Sequence, residues 1–239
     1  MKVSLVLATL NEIAGLRAIM PRIKREWYDQ LIIIDGGSTD GTLEYEKENG
    51  YFLKVQEGKG IRNALDQAFA LVEGDILITF TPDGNSVPEL IPSVVKKMGE
   101  GYDMLIVSRY LQGAKSEDDS LLSGWGNKFF TYLINKIHKA NYTDALIGFR
   151  AFKKETIQKI GLTTPAFWFE KMFYEHTSWD FLSSVRCARM KLRVAEIPGD
   201  EPARIGGVEK VQKFKVGFVL LVQLFAEIFI HFKEGKSNE

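Results

Sequence analysis

The stretch Leu31-Ile-Ile-Ile-Asp35-Gly-Gly-Ser-Thr-Asp40-Gly-Thr42 decides the fold of this chain. Its aliphatic run shows no polar alternation, which predicts a strand buried on both faces. The glycine-rich turn that follows presents Asp35 at the carboxyl end of this strand, where open α/β sheets bind ligands. Gly36 and Gly37 let the backbone approach a ligand closely. An ordinary strand, turn and capped helix is the alternative interpretation of the same residues.

Two other segments pass from an apolar strand into a polar turn in the same way. They are Val3-Ser-Leu-Val-Leu-Ala-Thr-Leu-Asn11-Glu12 and Gly74-Asp-Ile-Leu-Ile-Thr-Phe-Thr81-Pro-Asp83-Gly-Asn85. Ligands of open α/β sheets bind beyond the carboxyl ends of neighbouring parallel strands. We therefore expect Glu12, Asp35 and Asp83 to face one polar crevice at that edge of the sheet.

The composition is that of a globular protein and argues against several classes of site. The chain has 239 residues, 45% of them hydrophobic, and a net charge of zero. This balance argues against a surface that binds nucleic acid broadly. The single cysteine, Cys187, excludes an internal disulfide, and three scattered histidines argue against a zinc site. Because a strand is predicted from Val3, we expect no signal peptide and a cytoplasmic location.

Strands and helices alternate along the first half of the chain. Strands are predicted near 3–8, 30–34, 51–55, 75–80 and 102–107, and helices near 11–25, 40–49, 60–73 and 87–99. This alternation predicts an α/β fold, a mostly parallel sheet with helices on both faces. The second half is predicted to hold a polar surface loop at 112–123, helices at 124–139 and 177–191, and a strand at 192–197.

Residues 210–232 form one long predicted helix with a narrow polar stripe made of Gln223, Glu227 and His231. Its longest apolar stretch, 216–222, is too short to span a membrane. The helix is expected to lie at a membrane interface or to dock on a partner. Packing on its own domain or in a homodimer is the alternative. In the first case anionic headgroups would contact Lys210, Lys213 and Lys215. The chain is thus divided into an α/β domain, 1–209, and a C-terminal amphipathic helix with its tail, 210–239.

Short motifs occur in a fixed order along most of the chain. They are Ala8-Thr-Leu-Asn11-Glu12, Ile34-Asp35-Gly-Gly-Ser-Thr-Asp40-Gly-Thr42, Gly58-Lys59-Gly60, Thr81-Pro-Asp83-Gly-Asn85, Ser108-Arg109, Thr143-Asp144, Gly148-Phe-Arg150 and Arg204-Ile-Gly-Gly. The ordered set resembles glycosyltransferase family 2, which has the GT-A fold, and in particular its dolichyl-phosphate mannosyltransferase type. The resemblance implies an inverting enzyme that moves a sugar from a nucleotide diphosphate sugar to a polyprenyl phosphate, dolichyl or undecaprenyl. It also implies a peripheral location at the inner face of the membrane.

The turn after the predicted strand at 75–80 is where the resemblance implies a divalent cation, Mg²⁺ or Mn²⁺. The family places an Asp-X-Asp pair there, but the first position in this chain is Thr81. Asp83 is then the main metal ligand and a catalytic residue, and Asn85 is a helper, since hard cations prefer oxygen ligands. The missing carboxylate predicts weaker metal affinity or more reliance on basic residues. A simple Pro-Asp-Gly turn is the structural alternative.

The resemblance also assigns a set of residues to the donor nucleotide. Asp35 matches the base-recognising aspartate, although Gly36 stands where the family carries a second acid. Backbone N–H groups at a helix start suit a phosphate, which favours the turn that contains Lys59. The full donor set is Ala8, Thr9, Glu12, Asp35, Gly36, Lys59 and Arg204, the last closing over the diphosphate.

Two arginines, Arg109 and Arg150, are implied to face the acceptor, because a guanidinium binds phosphate through a planar fork. Asp144 is either a catalytic base or the residue that orients an arginine. A polyprenyl phosphate is already anionic and needs no strong base. If the acceptor is instead a saccharide or another hydroxyl, a base is needed, and Asp180 becomes the rival candidate. A nucleotide-sugar-binding protein without turnover is a further alternative, supported by Thr81 and Gly36.

Overall fold

A computed structural model describes residues 1–165, 168–206 and 213–237 of the chain. Its strands are β1 Val3–Thr9, β2 Gln30–Asp35, β3 Leu53–Val55, β4 Ile76–Phe80, β5 Met104–Ser108, β6 Arg150–Lys153 and β7 Val194–Pro198. Its α-helices are α1 Ile13–Ile19, α2 Thr42–Glu48, α3 Ile61–Phe69, α4 Ile91–Met98, α5 Leu121–His138, α6 Lys154–Lys159, α7 Trp168–Met172, α8 Trp179–Arg189 and α9 Lys213–Ser237. Short 3₁₀ turns lie at Met20–Arg22, Arg25–Trp27, Pro88–Leu90 and Tyr174–His176.

The seven described strands form one sheet in the order β3-β2-β1-β4-β6-β5-β7. All neighbouring pairs are parallel except those of β6, which runs antiparallel to both β4 and β5. The predicted α/β fold with a mostly parallel sheet is therefore confirmed. Strand β6 was not predicted, because a four-residue segment with polar residues at both ends, Arg-Ala-Phe-Lys, shows no strand pattern.

Proline explains why the first predicted helix is shorter than expected. The span 11–25 was predicted as one helix, but α1 ends at Ile19 and a 3₁₀ turn containing Pro21 follows. Proline has no backbone N–H to continue the α-helical ladder.

Helix α5 begins at Leu121, three residues earlier than predicted, and so takes in the end of the predicted loop 112–123. Ser120 and Ser123 form a capping box that starts the helix there.

The aliphatic run of β2 packs on both faces of the sheet, as predicted. Ile32 and Ile34 belong to the core on one face, together with α3 and α8, while Ile33 belongs to the core on the other face, together with α1 and α4. The parallel register sets Thr9 beside Asp35 and Leu7 beside Phe80. The carboxyl ends of β1, β2 and β4 therefore meet at one edge, where the functional residues were expected.

The polar stripe of α9 faces the protein interior. Gln223 and Glu227 are fully buried, as is Val219 of the same helix, and α9 packs on α8. The Glu227 carboxylate accepts hydrogen bonds from Arg186 Nε at 2.7 Å and from Arg189 Nη1 at 2.9 Å. Predicted helix residues 210–212 and the side chain of His231 lie outside the described part of the chain.

The opposite face of α9 carries large apolar side chains that are exposed. Phe214, Phe218 and Phe225 are 84%, 61% and 59% accessible to solvent. Their spacing of four and seven residues places them in one stripe on the helix. Among the described residues no helix combines the length and the apolar character that crossing a membrane requires. The division of the chain at residues 209 and 210 stays a prediction.

Candidate functional site

The turn after β4 brings Asp83 to the edge of the sheet. Asp83 Oδ1 accepts a hydrogen bond from the backbone N–H of Asn85 at 3.1 Å, which closes a tight turn around Gly84. Gly84 has a φ of +97°, a left-handed conformation that favours glycine. A Cβ at Gly84 would lie 2.6 Å from the Ile205 side chain, and one at Gly15 would lie 2.4 Å from the Pro82 carbonyl oxygen. The two glycines thus let helix α1 and the segment around Ile205 approach the turn from two sides.

Arg204 joins three carboxylates at this turn. Its Nη1 atom lies 2.9 Å from Asp83 Oδ2 and 3.7 Å from Glu12 Oε1. Its Nη2 atom lies 4.0 Å from Asp118 Oδ2. The backbone holds the arginine in place, because Ile205 N–H donates to the Asp83 carbonyl oxygen at 2.8 Å. The structure therefore brings together three residues that the sequence analysis expected to meet, Glu12, Asp83 and Arg204.

Asn85 sits beside Asp83 and is 9% exposed. Its Nδ2 group donates to Asp118 Oδ2 at 2.8 Å. Within the described part of the chain its Oδ1 atom is buried without a hydrogen-bond partner. The sequence analysis did not single out Asp118, which lies in the acidic loop Lys115-Ser-Glu-Asp-Asp-Ser120. An acidic run of this kind usually marks a solvated loop, so no signal in the sequence set Asp118 apart.

Asp35 uses its carboxylate inside its own turn. Oδ1 accepts hydrogen bonds from the backbone N–H groups of Gly37 at 2.8 Å and Ser38 at 2.7 Å. Oδ2 accepts from the Ser38 hydroxyl at 2.6 Å and from Thr9 Oγ1 at 3.3 Å. The side chain is fully buried. These contacts fix the strand-to-helix turn and tie β2 to β1, so the predicted base contact would have to be made beside them.

The other predicted donor residues line the same sheet edge or flank it. Gly36 N–H donates to the Thr9 carbonyl oxygen at 2.8 Å, and Glu12 N–H donates to Thr42 Oγ1 at 2.9 Å. Ala8 is half-buried near the end of β1, next to Ile34 of β2 in the parallel register. Lys59 is exposed on the glycine-rich turn that precedes α3. Their roles as donor contacts remain predictions.

A second charged cluster surrounds Arg109 at the end of β5. Its guanidinium forms two hydrogen bonds with Asp144: Nε donates to Oδ2 at 2.7 Å, and Nη2 donates to Oδ1 at 3.1 Å. Nη1 also lies 3.1 Å from Glu201 Oε2 and 3.5 Å from Asp119 Oδ1. Three carboxylates therefore compensate one arginine. A small recess lined by Asn85 on one side and Arg109 on the other connects this cluster with the Asp83 turn.

The environment of Asp144 favours the ionised form of its carboxyl group. Burial alone would raise the pKa of the Asp144 carboxyl, but the hydrogen bonds and charge of Arg109, and a hydrogen bond from Asn127, outweigh burial and hold that pKa below its ordinary value. Asn127 Nδ2 donates to Asp144 Oδ1 at 2.7 Å. A carboxyl group of low pKa is a poor proton acceptor near neutral pH. Of the two predicted roles, the structure favours the one that orients an arginine.

Arg150 lies beneath the site and has no solvent exposure. Its guanidinium donates to the carbonyl oxygens of Ile147 at 2.6 Å and Ala145 at 2.7 Å, and to the Ser184 hydroxyl at 2.8 Å. Burial lowers the pKa of Arg150. The expectation that Arg150 faces the acceptor is therefore corrected, because these contacts hold the segment after Asp144 in place and leave no open side of the guanidinium.

Asp180, at the first turn of α8, has the opposite electrostatic character to Asp144. Burial raises the pKa of its carboxyl group to about 6, although the nearby charge of Arg150 opposes the rise. A Cβ on Gly148 would lie 3.9 Å from both Asp180 carboxylate oxygens, so the group flanks the Gly148-Phe149-Arg150 motif. A carboxyl group with this pKa can accept a proton near neutral pH.

No group of three or more His, Cys, Asp or Glu side chains in residues 1–165, 168–206 and 213–237 lies close enough together to hold a metal ion. Around the Asp83 turn, the Arg204 guanidinium stands among the carboxylates. The donor set still fits a hard cation, because it combines Asp83 with the buried carbonyl oxygen of Asn85, which has no hydrogen-bond partner among the described residues.

Comparison with known families and proteins gives matches over most of the chain. The model of the family described as Glycosyl transferase family 2 matches residues 4–161. Glycosyltransferase AglJ of Haloferax volcanii is 25% identical over 228 residues, which is 93% of this chain and 71% of that protein. Dolichol-phosphate mannosyltransferase of Pyrococcus furiosus is 28% identical over 179 residues, which is 70% of this chain but 50% of that protein.

Solved structures show the same fold. Glucosyl-3-phosphoglycerate synthase of Mycobacterium tuberculosis, in complex with Mn²⁺, uridine-diphosphate-glucose and phosphoglyceric acid, superposes with a TM-score of 0.63. The two chains are 19% identical, and the match covers 95% of this chain and 79% of that one. At this identity the likeness speaks for the fold alone, and it confirms the predicted GT-A architecture.

Proposed function

The chain belongs to glycosyl transferase family 2, and from that premise we propose that it transfers a sugar from a nucleotide diphosphate sugar to a polyprenyl phosphate with inversion. The observation that carries the proposal is the contact of Arg204 with Asp83 at the carboxyl edge of the sheet, 2.9 Å apart. Breaking the bond between the sugar and the diphosphate builds negative charge on the leaving group. A cationic side chain fixed at that edge can stabilise this charge.

We assign the diphosphate end of the donor to the Asp83 turn. Asp83 and Asn85 would hold Mg²⁺ or Mn²⁺, a Lewis acid that offsets the charge of the departing diphosphate when bound. Mn²⁺ accompanies uridine-diphosphate-glucose in the M. tuberculosis structure, which supports the same ligand class for this chain. Arg204 binds the leaving diphosphate through its planar fork, and Ile205 keeps that arginine against the turn.

The nucleoside end of the donor would lie along the edge formed by β1 and β2. Thr9 and Asp35 are neighbours in the parallel register there, and the Thr9 hydroxyl donates to Asp35 Oδ2 at 3.3 Å. Lys59, exposed before α3, would reach the phosphates from the other side. The N-terminus of α3 adds backbone N–H groups that favour an anion.

On the acceptor side, an anionic phosphate oxygen needs no proton acceptor. The ionised Asp144 then serves to orient Arg109, and Arg109 faces the recess next to Asn85. The phosphate oxygen attacks the anomeric carbon from the face opposite the leaving diphosphate, which inverts the configuration. Polyprenyl-phosphate transferases among the relatives, from P. furiosus, H. volcanii and Photorhabdus laumondii, support this acceptor class.

A polyprenyl acceptor places its substrate in a bilayer, and the outer face of α9 suits contact with one. Phe214, Phe218 and Phe225 form its apolar stripe, and Lys215 is exposed beside them. A helix of this kind lies in the membrane interface with its apolar face inward. We propose peripheral attachment at the cytoplasmic face, where lipid-bound substrate and soluble donor meet.

A hydroxyl acceptor, such as a saccharide, is the second candidate, and Asp180 favours it. Its carboxyl pKa of about 6 suits the removal of a proton from an attacking hydroxyl. The two candidates predict different products from the same donor.

The products can be separated in one experiment. Purified protein is incubated with labelled nucleotide sugars and Mn²⁺, with undecaprenyl or dolichyl phosphate in vesicles and a panel of free glycans. Label in the organic extract supports the polyprenyl phosphate acceptor, and label confined to soluble glycans refutes it.

A further inference from the structure

Three carboxylate side chains from separate parts of the chain meet around the guanidinium of Arg204. Glu12 follows β1, Asp83 follows β4, Asp118 precedes α5, and Arg204 lies beyond β7. The Arg204 guanidinium lies 3.7 Å from Glu12, 2.9 Å from Asp83 and 4.0 Å from Asp118. Three carboxylates and one guanidinium give this group a net charge of −2. A divalent cation would neutralise that charge.

Asn85 provides an independent sign of a missing ligand. Its Nδ2 group is occupied by Asp118, and its Oδ1 atom is buried and unpartnered within the described residues. A buried acceptor without a partner costs about 1–3 kcal/mol. An amide oxygen next to two carboxylates is a suitable ligand for a hard cation. In the described part of the chain, no donor accounts for the burial of this oxygen.

The loop holds Asp118 in place through both of its neighbours. Glu117 N–H donates to the Glu201 carbonyl oxygen at 2.8 Å, and Asp119 N–H donates to Ser116 Oγ at 3.1 Å. Glu201 belongs to the same segment that carries Arg204. These hydrogen bonds hold the loop around Asp118 next to the segment that carries Arg204. The Asp118 carboxylate accepts a hydrogen bond from Asn85 from that position.

Thr81 explains why a carboxylate from elsewhere is needed. The turn itself contributes one carboxylate, Asp83, because residue 81 carries a hydroxyl. That hydroxyl lies 2.9 Å from Ser86 Oγ, so it is used within the turn. A neutral oxygen at this position adds no charge to the site.

We propose that Asp118 supplies the second carboxylate of a divalent-cation site with Asp83 and Asn85, and that Arg204 occupies this position until the cation binds. The inference deepens the proposed function and rests on it for its role in donor binding. A divalent cation on the Asp83 carboxylate would lie close to the Arg204 guanidinium, which is 2.9 Å from that carboxylate. Because the two positive groups repel each other, binding of the cation displaces Arg204. The displaced arginine is then free to bind the diphosphate, which couples the cation to the donor.

Binding of Mn²⁺ alone, without nucleotide, tests the ligand assignment. Titration of the full chain followed by electron paramagnetic resonance gives the affinity directly. We expect Asp118→Asn to weaken Mn²⁺ binding about tenfold or more. The matched control is Glu117→Gln, which removes the same charge from an exposed neighbour in the same loop and is expected to bind as the wild type does.

Two further variants test whether a carboxylate is needed at this site and whether Arg204 competes with the cation. Thr81→Asp in the Asp118→Asn background is expected to restore Mn²⁺ affinity, because it returns a carboxylate to the turn. Arg204→Gln is expected to tighten Mn²⁺ binding about tenfold in the absence of nucleotide, since the competing cation is gone.

Three results would overturn the proposal: equal affinities of Asp118→Asn and Glu117→Gln, weaker binding in Arg204→Gln, or no Mn²⁺ binding by the wild type at about 10 mM. Sugar transfer is measured separately on the same samples. The expected Mn²⁺ pattern without a lipid-linked product would reject the proposed acceptor and leave the cation site standing.

Discussion

Glu227 of α9 and Arg186 of α8 form a fully buried ion pair, with Nε and Oε1 2.7 Å apart. Arg186 also contacts Glu170 of α7 at 2.6 Å, and Glu170 contacts Arg62 of α3 at 3.2 Å. A continuous line of buried charges thus runs from the C-terminal helix to the helix that follows Lys59. Buried ion pairs therefore connect the C-terminal helix with α8, α7 and α3.

Glu227→Gln should destabilise the protein. The substitution removes the carboxylate that pairs with Arg189 and leaves Arg186 with Glu170 alone among the described residues, and breaking a buried pair costs about 3–5 kcal/mol. Urea unfolding measures the change. Phe225→Ser, on the exposed side of the same helix, is the control and should change the free energy of unfolding by about 0.5 kcal/mol or less. Equal stabilities of the two variants would show that the pair contributes nothing.

Replacing Phe214, Phe218 and Phe225 together by Ser should release the protein from vesicles while leaving its fold intact. The three side chains are exposed, so their loss removes apolar surface available to the bilayer and little packing. Co-sedimentation with vesicles containing anionic lipid measures the effect. Phe52→Ser changes an exposed phenylalanine before β3 and should sediment as the wild type does. Unchanged sedimentation of the triple variant would rule out α9 as the membrane contact.

Asp180→Asn distinguishes the two acceptor classes. The amide cannot take a proton, so transfer to a hydroxyl should fall about 100-fold or more, while transfer to polyprenyl phosphate should stay within a few-fold of the wild type. Initial rates with each acceptor give the answer. Loss of transfer to polyprenyl phosphate in a folded Asp180→Asn protein would contradict the mechanism that needs no base.

Glu46 of α2 should make the protein less stable as pH rises. Burial raises the pKa of its carboxyl from an ordinary value of 4.5 to about 7, and the charges of Asp35 and Asp40 add to the rise. The folded state therefore binds the proton more tightly than the unfolded state, and stability is lost between about pH 4.5 and pH 7. Glu46→Gln should reduce this slope in urea unfolding measured from pH 5 to pH 8. An exposed residue of the same helix, Glu48, provides the control Glu48→Gln. An unchanged slope in Glu46→Gln would contradict the assignment.

The sequence predicted the parts of the site that depend on strand ends. Asp83 and Glu12 follow apolar runs, and parallel strands bring such ends to one edge whatever the loops do. Arg204 was expected over the diphosphate by resemblance, and the structure places it against Asp83.

Loops carry the parts that the sequence did not reveal. No sequence pattern sets Asp118 apart. Its carboxylate accepts a hydrogen bond from Asn85 out of a loop whose Glu117 N–H donates to the carbonyl oxygen of Glu201, far along the chain. For Arg150 the sequence predicted a ligand contact that the structure does not show. Its motif suggested contact with the acceptor, but its position on the short antiparallel strand β6 buries it. Pairing of a four-residue strand is decided by its neighbours, which no local pattern records.

The most direct test of the central claim is single-turnover transfer by the wild type and by Asp83→Asn, with polyprenyl phosphate vesicles and saturating donor. The account predicts a lipid-linked sugar of inverted anomeric configuration from the wild type, and a rate at least about 1,000-fold lower in Asp83→Asn with the fold unchanged. Glu117→Gln serves as the charge control. Wild-type rates in Asp83→Asn, or a product with retained configuration, would contradict the account.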